Sequence, residues 1–185
     1  MAQGAVVDLR DIVLSNNSFG PSEIKQLCSG IAEDFSQFTI LRDAVQELEA
    51  VEDRSPATST RLGVCLYLIG RISQAEQVLL KGDGGALAQF YLGKVCFQQE
   101  QYDRALSYYD AARKAGYDPE QCQLASSEAL RYSGKIQEAM NLLDNMFGPV
   151  EQTAEYLYQR GSTTAALGGN PQEVTTYFQR AVAAD

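Results

Sequence analysis

The sequence predicts an all-α fold of paired helices stacked in series, and three observations point to it. The stretch Ala86 to Pro119 fits two amphipathic helices with a break near Glu100–Gln101. Small residues recur at fixed intervals: Gly63 to Gly93 and Ala75 to Ala105 are each 30 residues apart, and Ala105 to Ala139 is 34. The intervening apolar residues keep helical spacing, so essentially no sheet is expected. The recurrence has a steric cause. Gly93 and Ala105 lack bulk where two helices would cross, while Leu92, Phe97, Tyr102 and Tyr109 would fill the space around the crossing.

Taken in order, Val6 to Leu14 is a short amphipathic piece, ended by the turn chemistry of Ser15-Asn16-Asn17-Ser18. Gly20-Pro21-Ser22 starts a helix with Pro at a first-turn position and an apolar stripe of Ile24, Leu27, Cys28 and Ile31. A further helix runs from about Ser36, with Phe38, Leu41, Ala44, Val45 and Leu48 on one face. Ser55-Pro56 opens the next pair, a cap followed by a first-turn Pro. Its pattern is Leu62, Gly63, Leu66, Gly70, Ile72, Ala75 and Leu79, and Gly82-Asp83-Gly84-Gly85 closes it as a tight connection. After the Ala86–Pro119 pair come Leu130, Gly134, Ile136, Ala139 and Leu143, then Tyr158, Gly161, Ser162, Ala165, Gly169, Phe178 and Ala181. In this last pair Val174 stands at the small crossing position, and Pro171 stands where the earlier pair has Tyr102.

The order large, small, large, aromatic, Ala, large, Ala at Leu92, Gly93, Phe97, Tyr102, Ala105, Tyr109 and Ala112 resembles the tetratricopeptide repeat (TPR), a helix–turn–helix unit of about 34 residues. The resemblance implies a right-handed α-solenoid of about ten helices. Residues 1–54 read as N-terminal helices, with a degenerate repeat among them. Residues 55–185 read as about four repeats, an array truncated at its C-terminus because no polar capping helix follows Ala181. A softer resemblance lies in Phe19-Gly-Pro-Ser-Glu-Ile24, Arg61-Leu-Gly-Val-Cys65 and Ala154-Glu-Tyr-Leu-Tyr-Gln-Arg-Gly161. These strings look like planctomycete-type bacterial repeat proteins that carry a module similar to the C-terminal domain of RNA polymerase α subunits. That likeness implies a transcription-associated role.

Composition narrows the function. Asp plus Glu number 24 against 15 Lys plus Arg, a formal charge of −9, which argues against direct nucleic-acid or anionic-membrane binding. There is no histidine, so the commonest general base and metal ligand is missing. Cys28, Cys65, Cys96 and Cys122 form no CxxC, and Cys65 and Cys96 fall on core positions, so no metal site, no cofactor and a reduced cytoplasmic setting are expected. No basic stretch followed by an apolar run opens the chain, and no apolar stretch is long enough to span a membrane. Gly82-Asp-Gly-Gly85 has no Lys-Ser/Thr partner and follows a helix, which makes it a turn rather than a phosphate loop. With no nucleophile–base pair in sight, no enzyme activity is expected. Tyr102, Tyr108, Tyr109 and Tyr158 read as packing residues.

The resemblance also implies that the first helix of each repeat lines a concave groove holding a peptide or protein segment. The groove residues counted from each repeat are Arg61, Val64, Tyr67 and Leu68; Phe90, Lys94, Phe97 and Gln98; Gln121, Glu128, Arg131 and Tyr132; and Tyr156, Gln159, Arg160 and Thr163. Four cations against Glu128 suggest an acidic partner segment. Equally open is the bland alternative, solvated faces whose Arg stems cover apolar surface. One TPR branch clamps a C-terminal carboxylate with Lys and Asn; those Asn residues are missing here, so that function is not carried over. The other functional reading is an oligomerisation or structural domain, a homodimer through the uncapped face of the last helix around Val174, Tyr177, Phe178 and Ala181.

Overall fold

The computed structural model describes residues 8–15 and 18–184. The start of the Val6–Leu14 piece and the centre of the turn after it lie outside the described residues. Among the described residues there are eleven α-helices, one 3-10 helix and no strand. The chain forms two compact units, Met1–Tyr91 and Leu92–Asp185. The division falls inside one helix, α6 (Ala86–Gln98).

The first unit begins with α1 (Leu9–Leu14), whose first turn is capped by the Asp8 carboxylate accepting from the Arg10 and Asp11 N–H groups. α2 (Pro21–Glu33) and α3 (Gln37–Ala50) follow, and α1 packs on both. Leu9, Val13, Leu27, Leu41, Ala44 and Val45 form the shared interior. The expected stripe of α2 is narrower than its sequence suggests: Ile24 and Leu27 are buried, but Cys28 is exposed. α4 (Pro56–Leu68) starts at Ser55, whose hydroxyl accepts from the Thr58 N–H at 3.1 Å. It pairs with α5 (Ile72–Leu79). A Cβ at Gly63 would sit 2.5 Å from Leu79 Cγ, and Ala75 has no exposed surface, so the two backbones meet where the small residues recur. Arg71 at the start of α5 makes a two-pronged ion pair with Glu49 of α3, Nη2 to Oε1 at 3.0 Å.

The Gly82–Gly85 connection is a turn. Thr60 Oγ1 donates to Asp83 Oδ1 at 3.1 Å and accepts the Asp83 N–H at 3.2 Å, and the Gly85 N–H donates to Asp83 Oδ1 at 2.9 Å. The Asp83 and Gly85 N–H groups are thereby used inside the turn, and the Gly82 N–H donates to the Leu79 carbonyl at 3.0 Å.

In the second unit the end of α6 pairs with α7 (Tyr102–Lys114), and a Cβ at Gly93 would lie 2.5 Å from Tyr109 Cδ1. α8 (Pro119–Tyr132) pairs with α9 (Ile136–Asp144); here Ser127 takes the small crossing position, fully buried, its hydroxyl donating to the Ala139 carbonyl at 3.2 Å. After the 3-10 turn Pro149–Gln152, α10 (Ala154–Ala166) pairs with α11 (Pro171–Ala184). Gly161 faces Tyr177 Cβ and Phe178 Cε1, each 3.0 Å from where its Cβ would be. Leu124, Leu143, Met146, Val150, Tyr156, Leu157 and Ala181 form the core here, with Tyr177 against it. Each fully buried Leu contributes about 1.5–3 kcal/mol relative to exposure.

α11 differs from expectation. Ala181 is buried and Tyr177 packs inward, so the bare apolar surface is smaller, made by Phe178 and by Val182, 80% exposed, beside Thr175 and Gln179. Tyr109 is buried as expected, but Tyr158 is 49% exposed, its ring 5.8 Å from Phe178.

Candidate functional site

The candidate residues of the first unit lie mostly inside it. Arg61 is buried in α4, and its Nη2 donates to the Leu14 carbonyl at 3.4 Å. Burial lowers its pKa. Val64 and Phe90 are buried too, and Tyr67 sits edge-on to Tyr91 at 5.4 Å. Cys65, with no exposed surface, has its thiol pushed up to about 12 by burial, so it packs as an inert small hydrophobe.

In the second unit α6, α8 and α10 bring polar side chains from three distant stretches together. Gln98, Gln121 and Tyr132 are exposed, and Lys94, Glu128 and Arg131 are partly so. Glu155, on the first turn of α10, interacts with Lys94, Gln121 and Glu128 of this set. Gln121 donates a hydrogen bond to its carboxylate, and Lys94, Glu128 and Asp118 lie close enough to act on its charge. Its pKa is raised, first by desolvation and then by Glu128 and Asp118, while Lys94 and Gln121 pull the other way. Glu155 is exposed to solvent yet desolvated, because protein surrounds it on several sides at a distance. Nearby, Tyr117 is pushed up to about 12, chiefly by burial and further by neighbours that include Asp118 and Glu155.

An aromatic wall adjoins this group. Phe97 meets Tyr132 edge-on at 5.3 Å, Tyr102 stacks on Tyr132 at 6.3 Å, and the Arg131 guanidinium lies 4.6 Å above the Tyr132 ring. Tyr132 is still 53% exposed.

The remaining sequence candidates point elsewhere. Tyr156 is buried and its hydroxyl donates to the Leu143 carbonyl at 3.3 Å. Gln159 is buried and accepts from Arg131 Nη2 at 3.4 Å. Arg160 pairs with Asp144, and Thr163 is fully buried. Sequence reading missed Glu155, although a signal for it existed. Ser127 to Gly161 is 34 residues, and 34 beyond Gln121 is Glu155. Counting α10 one residue late turns the helix by about 100° and selects interior residues instead.

Among the described residues no group of three or more His, Cys, Asp or Glu could hold a metal ion, and no helix is long and apolar enough to cross a membrane.

The chain matches no family model, and no curated protein matches it. Solved structures do. A crystal structure of MamA superposes with a TM-score of 0.64 at 16% identity, over 90% of this chain and 95% of that one. MamA of AMB-1 gives 0.62 at 19% identity over 80% and 92%. The nearly identical TPR-like repeats of a kinesin light chain candidate from Podosopora anserina give 0.60 at 16% over 90% and 97%. At these identities the likeness is one of architecture, and it identifies the fold of this chain as the all-helical, TPR-like repeat fold.

Proposed function

We propose that this chain is an interaction scaffold that holds a segment of a partner protein across the faces of α6, α8 and α10. The observation that supports the reading best is the meeting of Lys94, Gln121, Glu128 and Glu155 from three helices around one desolvated carboxylate, beside the half-exposed Tyr132. Such a face offers hydrogen bonds and an aromatic surface to an extended or helical segment. Tyr156, Gln159 and Arg160 act in this reading as the frame behind the face, while Arg61, Tyr67 and Phe90 serve the packing of the first unit. An acidic partner segment draws support from Arg131 and Lys94 alone, since Arg61 is buried and Arg160 is paired with Asp144.

Selection of peptides from a displayed library against the chain tests the scaffold. Tyr132→Ala and Gln121→Ala should weaken the selected peptides, while the remote Glu173→Gln should not. A library yielding no binders, or binders indifferent to both inner-face variants, would sink the reading.

A second reading has its own observation: Val182 and Phe178 on α11 leave an apolar face that a second copy could cover. Light scattering across concentration tests this homodimer, and a monomer at every concentration dismisses it. The transcription association draws its support from the sequence strings alone; co-purification with RNA polymerase tests it.

A further inference from the structure

We propose that the cavity bounded by α7, α8 and α9 receives the side chain of a tyrosine from a partner protein. The cavity lies apart from the α6–α8–α10 face, so it stands whether or not that face holds a segment.

The pitch of α8 separates the two places. At about 100° per residue, Gln121, Glu128 and Tyr132 fall on one side of the helix. Pro119, Cys122, Gln123 and Ser126 fall on another, roughly 150° round the axis. α8 packs on both α7 and α9. Between them α8 presents the short side chains of Cys122 and Ser126, and a cavity of about 420 Å³ is left, with Tyr109 of α7 and Leu142 of α9 among its walls. That volume falls within the roughly 300–1,000 Å³ of small-ligand sites.

The lining carries polar groups but no unbalanced charge. Tyr109 and Cys122 are buried and make the floor, while Gln123, Ser126 and Leu142 are half-buried. Arg113 and Asp110 stand at the mouth and are spent on each other, Nη2 to Oδ1 at 2.9 Å, and Lys114 Nζ lies 2.5 Å from Asp110 Oδ2. The Cys122 thiol is pushed up to about 11, chiefly by burial, and is uncharged at neutral pH. Among the described residues, neither the Gln123 amide nor the Ser126 hydroxyl makes a side-chain hydrogen bond.

These features choose the guest. A charged group would give up its water and meet only charges that are already paired. A purely apolar side chain would fill the space but strip water from Gln123 and Ser126 without replacing those hydrogen bonds. A phenol answers both. Its ring is an apolar body for the walls of Tyr109, Pro119 and Leu142, and its hydroxyl can donate to the Gln123 side-chain carbonyl and accept from Ser126. Tyrosine, apolar at one end and hydrogen-bonding at the other, is enriched at protein interfaces for the same combination.

The probes are N-acetyl-tyrosinamide, N-acetyl-phenylalaninamide and p-cresol, each titrated into the isotope-labelled full chain and read by NMR at the backbone amides of residues 123 and 126. The capped tyrosine should bind about tenfold tighter than the capped phenylalanine. Gln123→Ala should remove most of that preference, and Glu173→Gln on α11 should preserve it. Ser126→Leu, which fills the cavity, should abolish binding of all three probes. Circular dichroism checks the fold of Ser126→Leu, and Gln123→Ala carries the test if it does not fold. No shift with any probe, equal binding of the two capped residues, a preference indifferent to Gln123→Ala, or binding that survives in a folded Ser126→Leu overturns the tyrosine site. Binding of p-cresol without the capped tyrosine also overturns it and leaves a site for free phenols.

Discussion

Gly93 lies directly under the Tyr109 ring, and a Cβ built there would be 2.5 Å from Cδ1. Tyr109 is itself buried. A methyl group at position 93 gains about 1 kcal/mol of helix propensity but must push α6 and α7 apart. Gly93→Val adds more bulk and loses part of the propensity gain. We expect Gly93→Ala to cost about 1–2 kcal/mol and Gly93→Val about 3 kcal/mol in urea unfolding. A Gly93→Val variant as stable as the parent would show that the crossing is not close.

Glu100 occupies a left-handed backbone position, φ 60°, the one non-glycine residue to do so among those described. Gly70, Gly134 and Gly168 hold the same place at the ends of α4, α8 and α10. At all four the N–H of the next residue donates back to a carbonyl five residues earlier, as Gln101 does to Cys96 at 2.8 Å. Glu100→Gly should stabilise the chain by about 0.5–1 kcal/mol, and Glu100→Val should destabilise it by at least as much. Matched urea midpoints measure both; a destabilising Glu100→Gly counts against the strained turn.

Thr163 has a fully buried hydroxyl with no hydrogen-bond partner. Valine has nearly the same shape and carries no polar atom to desolvate. Thr163→Val should raise stability by about 1 kcal/mol. A loss of 1 kcal/mol or more would mean that the hydroxyl is satisfied after all.

Glu155 ties stability to pH. Its folded pKa lies above the ordinary value of 4.5, so the folded chain binds this proton more tightly than the unfolded chain does. The contribution favours folding below the ordinary value and is lost as pH rises through the folded value. Relative to Glu155→Gln, the parent should therefore lose stability between about pH 4 and neutrality. Differences in urea midpoint between the two proteins, taken across that range, measure it; a flat difference removes the raised pKa.

How far the sequence could be read depended on whether a residue's role was set by its own repeat or by a distant segment. Gly63 with Leu79 and Gly93 with Tyr109 were legible, because close approach of two neighbouring helices forbids bulk at one spaced position. Ser127 was not, since a serine in a polar stretch carries no mark of burial until Ala139 is seen to accept its hydroxyl. Arg61 looked like a groove cation, and only the fold reveals that Leu14, 47 residues earlier, lies against it. Tyr156 stands one residue beyond Glu155, a step that on a helix exchanges surface for interior.

The small residues at the crossings have a kinetic corollary. Gly93 meets Tyr109, Ser127 meets Ala139 and Gly161 meets Phe178, partners only 16, 12 and 17 positions apart along the chain. Each hairpin can close over a short loop with little loss of chain entropy, before remote stretches have found one another. Contacts this local place the second unit among low-contact-order topologies, whose members fold in microseconds to milliseconds.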